Sequence, residues 1–126
     1  MLISFDATGI MADSAKTLSE IARLGSRSKT RRNDFSAKAP SRWEPQTIEN
    51  PETGIPFSDS SAWEFICQLL QESPERFREV KLKKPPDQVA YWATVTLPPN
   101  NANIYIKIQL SGGFAYGRSF HISTRE

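Results

Sequence analysis

The stretch Ile104-Tyr105-Ile106-Lys107-Ile108-Gln109-Leu110 alternates apolar and polar residues along the chain. Such alternation predicts a β-strand with one buried face and one polar face. Ser111-Gly112-Gly113 follows it, and glycine supplies the positive φ angles of a tight reversal. The apolar run 116–122 is therefore expected to return as the second strand of a hairpin. The polar side chains of both strands would then share one surface, namely Tyr105, Lys107, Gln109, Ser119 and His121.

Two further strands and a helix are predicted before this hairpin. Segments 77–83 and 89–97 alternate in the same way, and proline-rich turns separate the strands. A run of serines at 58–61 offers N-caps for an apolar helical pattern that Pro74 ends. We expect an α+β fold in which this helix covers one face of a four-stranded antiparallel sheet. The other face would carry Lys81, Lys83, Trp92, Thr94, Tyr105, Lys107, Gln109, Ser119 and His121.

Arg118 breaks the alternation of the last strand. It has the parity of Phe120, so strict alternation would turn its side chain toward the core. Gly117 precedes it and suggests a β-bulge that re-aims the strand. Without such a bulge, Arg118 would lie at the rim of the sheet.

The first 57 residues differ in character from the rest. An apolar stripe of Leu18, Ile21 and Ala22 predicts an amphipathic helix that ends at Gly25. Beyond it Ser, Arg, Asn and Pro dominate, and no regular period is visible as far as Phe57. We therefore divide the chain into an N-terminal helix with a basic, proline-rich arm (1–57) and an α+β domain (58–126).

The arm is basic near its start. Between Gly25 and Trp43 it holds six basic residues and one acidic residue. Such a run is typical either of a solvated connector or of an arm that binds phosphate. In the second case Arg31 and Arg32 would contact RNA.

Composition excludes several classes of protein. The 126 residues carry a net charge of +2 and contain one cysteine and one histidine, which argues against disulfides and a structural zinc site. No apolar run approaches the roughly 20 residues of a membrane span, and no signal-peptide pattern is visible. We expect a cytoplasmic protein with no cofactor, no metal and no membrane partner.

The predicted polar face has the groups needed to bind and cut RNA. Lysine and arginine neutralise phosphate, and tyrosine and tryptophan stack on unpaired bases. Cleavage without metal requires a base for the 2′-OH, cations for the phosphorane and an acid for the departing 5′ oxygen. His121 can be the acid or base, and Lys107 and Arg118 can stabilise the phosphorane. The second proton-transfer group could be Glu79, Lys81 or Tyr105.

The closing hairpin resembles that of the RelE-like superfamily of toxin–antitoxin ribonucleases, in particular the MqsR-like mRNA interferases. Those chains end in a Tyr-x-Lys strand followed by a strand with Ser-Phe-Lys. Here Tyr105 and Lys107 stand at the first motif and Ser119 and Phe120 at the second, while His121 replaces the final lysine. The resemblance covers roughly residues 59–123.

This resemblance implies a toxin that cleaves single-stranded mRNA, often on the ribosome, and that a cognate antitoxin protein silences. Two other interpretations stay open on the residues alone. A non-catalytic RNA-binding module would use the same face and arm. A protein-interaction module would dock on another protein through exposed Trp43 and Phe57 of the arm.

Overall fold

A computed structural model describes residues 12–33, 42–83, 86–98 and 101–123. It confirms the α+β class, with two helices and six strands in this part of the chain. The helices are α1 (Ala12–Gly25) and α2 (Asp59–Glu72). The strands are β1 (Arg31–Arg32), β2 (Arg42–Trp43), β3 (Arg78–Lys81), β4 (Val89–Leu97), β5 (Ala102–Ser111) and β6 (Phe114–Ile122).

The six-stranded mixed sheet corrects the four-stranded antiparallel sheet that the sequence predicts. Strands β3 to β6 form the expected antiparallel meander. Strands β1 and β2 are added to it, because these two short segments of the basic arm pair in parallel with the outer edge of β6. A strand of two residues is too short for an alternation to be read, so sequence patterns predict an irregular arm.

The hairpin of β5 and β6 turns as predicted and contains the predicted bulge. Gly112 and Gly113 join the strands at φ angles of 57° and 81°, which side chains with a Cβ rarely adopt. The pairing then shifts between Lys107 and Ile108, whose partners on β6 are Ser119 and Gly117. Arg118 is the extra residue of this bulge, so it leaves the core alternation.

Helix α2 begins at a capping box of two serines. The Ser58 amide donates to Ser61 Oγ (2.9 Å), and the Ser61 amide donates to Ser58 Oγ (3.1 Å). These bonds satisfy two donors at the helix start, and a serine N-cap is typically worth about 1 kcal/mol. Both helices pack on the apolar face of the sheet. The fully buried centre includes Leu18, Ile21, Trp63, Ile66, Ile104, Ile106, Ile108 and Phe120.

Two tryptophans in ring contact attach the arm to this core. Trp43 of β2 and Trp63 of α2 have ring centroids 5.6 Å apart. A Cβ at Gly117 would lie 2.4 Å from Cζ3 of Trp43, and a Cβ at Gly25 would lie 2.9 Å from the ring of Trp63. Each ring therefore occupies space that only a glycine leaves open.

Phe57 belongs to the hydrophobic core, and Trp43 packs against that core. Phe57 is 2% exposed, and Trp43 is half-buried with its Nε1 donating to Asp59 Oδ1 at 2.9 Å. Phe57 is therefore not exposed as predicted, and Trp43 is only partly exposed, because the pairing of β2 with β6 turns its ring toward α2. Of this pair, only part of Trp43 reaches the surface.

The contact between Gly117 and Trp43 can be tested with a double-mutant cycle. Gly117→Ala should destabilise the fold by about 1–3 kcal/mol, as overpacking of a core typically does. In a Trp43→Leu background most of that cost should vanish, because the ring that the new methyl group meets is gone. Urea unfolding of the four proteins gives the coupling free energy.

Gly112→Ala is the matched control. A Cβ there meets nothing within 4 Å, so its cost comes from the positive φ alone and should be equal in both backgrounds. Additive costs for Gly117→Ala and Trp43→Leu would contradict the packing described here.

Candidate nucleic-acid interface

The polar face is the side of the sheet opposite the two helices. Across it Trp92 of β4 pairs with Lys107 of β5, which pairs with Ser119 of β6. In the next row Tyr105 pairs with His121. None of the residues that the register of β3 to β6 places on this face is acidic. They are Arg78, Val80, Ala90, Trp92, Thr94, Thr96, Asn103, Tyr105, Lys107, Gln109, Ser111, Phe114, Tyr116, Ser119 and His121.

Three rings form an aromatic ladder on this face. Trp92 and Tyr105 are stacked, with centroids 6.0 Å apart and planes 24° apart. Tyr105 and His121 follow, with centroids 5.4 Å apart. All three side chains are half-buried, so each is held by its neighbours and still reaches solvent. A ladder of this kind offers flat surfaces to unpaired bases.

Two cations meet beside the ladder. Lys107 Nζ lies 5.7 Å from the centroid of the Tyr105 ring. Partial burial lowers the pKa of Lys107, and the charge of Arg118 in the bulge lowers it further. Arg118 is 5% exposed, and burial lowers its own pKa, although a guanidinium keeps its proton in proteins. Two cations forced together in this way favour the binding of an anion.

His121 is oriented by its own backbone. Its Nδ1 lies 2.9 Å from the carbonyl oxygen of Ile122. A carbonyl oxygen can only accept a hydrogen bond, so this contact requires a proton on Nδ1. In the neutral ring, Nε2 then carries the lone pair and can take a proton from a substrate.

Lys81 and Lys83 do not join the polar face as predicted. Lys81 pairs with Val89 and Glu79 pairs with Tyr91, which places both on the helix side of the sheet. Lys83 is exposed in the turn after β3. Lys81 and Lys83 could share the polar face only if Val80, next to Lys81, faced the core. Val80 instead pairs with Ala90 on the polar face, and this reverses the parity of the whole strand. Because Glu79 and Lys81 lie on the helix side, neither can be the second proton-transfer group of the polar face.

The two arginines of β1 point to opposite sides. Arg31 donates to the Gly25 carbonyl (3.1 Å) and to Ser60 Oγ (3.3 Å) on the helix side. Arg32 pairs with Tyr116 on the polar face, where its guanidinium lies 4.3 Å from the centroid of the Phe114 ring. Only Arg32 of this pair therefore belongs to the polar face.

Gln109 is on the polar face but is already engaged. It is 3% exposed, and its Nε2 donates to Gln88 Oε1 at 2.6 Å. Ser119 is 8% exposed, and it lies beside Lys107 as its partner on β6.

Two arginines that sequence reasoning does not select extend the row of Lys107. Arg78 of β3 pairs with Trp92, and Arg42 of β2 pairs with Ser119. Both are exposed. The sequence predicts the opposite parity for β3, so it does not place Arg78 on the polar face. Strand β2 has only two residues, so the sequence does not predict it or the position of Arg42.

Within the described ranges, no group of three or more His, Cys, Asp or Glu side chains is arranged to hold a metal ion. Neither described helix is long and apolar enough to cross a membrane.

The cost of placing Lys107 beside Arg118 predicts that Lys107→Met stabilises the protein at neutral pH. The gain should be at most about 1 kcal/mol, because solvent screens a half-buried ammonium. Since the folded-state pKa is lowered, the cost is fully present below that pKa and disappears as the pH rises toward the unfolded-state pKa. The advantage of Lys107→Met in urea unfolding should therefore shrink in alkaline buffer.

Lys81→Met is the control for this measurement, because Lys81 is an exposed lysine on the helix side. The same pH-dependent gain in both variants, or a loss of stability in Lys107→Met, would refute the repulsion between Lys107 and Arg118.

Comparison with family models, curated proteins and solved structures finds no match to this chain in any of the three. The resemblance of the closing hairpin to RelE-like ribonucleases therefore remains a sequence-based prediction.

Proposed function

We propose that the protein is a toxin-type mRNA interferase of the RelE-like kind, which binds single-stranded RNA on the polar face and cleaves it without a metal ion. One observation carries this proposal. Lys107 pairs with Ser119, the neighbour of the bulge residue Arg118, beside an aromatic ladder that ends in the only histidine of the chain. Phosphate-binding, base-stacking and proton-transfer groups thus lie together.

The arrangement favours single strands over duplexes. Bases can stack on Trp92 and Tyr105 only when they are unpaired and turned toward the protein. Cations on the same face can then neutralise the phosphates between those bases. None of the residues that β3 to β6 place on this face is acidic. These strands therefore present no negative charge that would repel the phosphates.

The reaction follows from the positions of three side chains. Nε2 of neutral His121 takes the proton of the 2′-OH, and the 2′ oxygen forms a bond to phosphorus. Lys107, with the positive charge of Arg118 behind it, stabilises the charge that develops on the phosphorane. The bond from phosphorus to the 5′ oxygen breaks, and the Tyr105 hydroxyl gives that oxygen a proton. The products are a 2′,3′-cyclic phosphate and a free 5′-OH.

The partners follow from the resemblance to the RelE-like family. They are mRNA, either free or bound to the ribosome, and a cognate antitoxin protein that blocks the site. A protein of this kind would act in the cytoplasm.

A non-catalytic RNA-binding module is the second candidate. The stack of Trp92 on Tyr105 supports it, because this stack would bind bases whether or not His121 transfers a proton. The two candidates differ only in the fate of the bound RNA.

Cleavage of a mixed-sequence single-stranded RNA in EDTA distinguishes them. The parent protein should produce fragments ending in 2′,3′-cyclic phosphate. His121→Ala should lower the rate by about 10²-fold or more, the usual contribution of a general acid or base. Lys107→Met should also be impaired, while both variants keep the unfolding transition of a folded protein.

Lys83→Ala is the matched control, since it removes an exposed lysine outside the polar face and should keep full activity. Full activity in His121→Ala would remove the proposed mechanism. If the parent protein binds the RNA to saturation and does not cut it, the non-catalytic RNA-binding module is the candidate that remains.

A further inference from the structure

We infer that the bound RNA crosses the strands of the polar face, with Arg78 and Arg42 binding phosphates at the two ends of its path. This inference rests on the proposed RNA-binding function and deepens it. Neither arginine is needed for the chemistry at His121, so both would serve affinity and the direction of the chain.

The register defines the path. One continuous row runs from edge to edge of the sheet through Arg78, Trp92, Lys107, Ser119 and Arg42. Neighbouring strands lie about 4.8 Å apart, so the four steps of this row span about 19 Å. That is the length of a short single-stranded segment rather than of one nucleotide. A cation therefore stands at each end of the row and one at its centre.

Both end residues are available to a ligand. Arg78 is exposed at the outer edge of the sheet, and no hydrogen bond or ion pair of its side chain is present within the described ranges. The Arg42 side chain is 52% exposed, and its Nε lies 3.1 Å from Glu44 Oε2. An ion pair this exposed is weak, so a phosphate can replace the carboxylate at small cost. The planar guanidinium suits the oxygen pairs of phosphate.

A path along β6 is less favourable than a path across the strands. The cation in that direction is Arg32, and its guanidinium already lies over the Phe114 ring. Its Nη1 also donates to the carbonyl oxygens of Lys29 (3.2 Å) and Arg31 (2.9 Å). A phosphate would have to displace these contacts, whereas Arg78 offers its guanidinium without such a loss.

The test uses the full chain and a single-stranded decanucleotide with 2′-O-methyl groups, which cannot be cleaved by 2′-OH attack. Arg78→Gln and Arg42→Gln should each weaken its affinity by about 3–10-fold. Each should also reduce the slope of log K against log salt by about 0.7, the value for one phosphate contact to a single strand. Lys81→Gln removes a charge from the same strand as Arg78 but on the helix side, and should keep the parent affinity.

Glu44 gives a second, opposite test. Glu44→Gln should strengthen binding, because it releases Arg42 from its ion pair. The gain should vanish in an Arg42→Gln background. Glu79→Gln, a matched loss of negative charge on the helix side, should change the affinity little.

The outcomes separate this inference from the proposed function. The proposed path would be wrong if both arginine variants bound RNA as tightly as the parent protein, or if Lys81→Gln lost as much affinity as they do. Neither result would affect the proposal that the parent protein cleaves RNA. A parent that binds RNA through Arg78 and Arg42 but never cuts it would support the path and overturn the nuclease.

Discussion

Packing of Trp43 against Gly117 is the contact on which the rest of the structure depends. It holds the arm on the edge of β6 and turns Arg42 to the polar face beside Ser119. The same point of β6 carries the bulge that frees Arg118 from the core alternation. One glycine therefore has two roles, since it admits a tryptophan on the helix side and precedes the bulge residue Arg118.

The polar face carries an electrostatic cost that the fold itself does not require. The positive charge of Arg118 adds to burial in lowering the pKa of Lys107, and both cations are partly removed from water. An apolar residue at position 107 would continue the strand equally well. Retaining two cations where one neutral side chain would be more stable is typical of a site that binds or transforms an anion.

Sequence reasoning succeeds where a strand is long and fails where it is short. The alternation of β4 and β5 extends over nine and ten residues, so the side of Trp92, Tyr105 and Lys107 can be read directly. Strand β3 has four residues, and its single apolar side chain, Val80, lies on the polar face. The sequence therefore predicts the wrong face for every residue of this strand. The arm strands depend on contacts with β6 and α2, which are distant in sequence and leave no local period.

The three tryptophans of the chain allow the most direct test of the central claim, that RNA binds on the polar face. Trp43 and Trp63 are packed together on the helix side, and Trp92 is part of the aromatic ladder. Their indole N–H signals can be followed by NMR while an uncleavable single-stranded RNA is added. We predict that the Trp92 signal moves and that the other two stay in place. Movement of the Trp43 or Trp63 signal with Trp92 unchanged, or no change at saturating RNA, would contradict the claim.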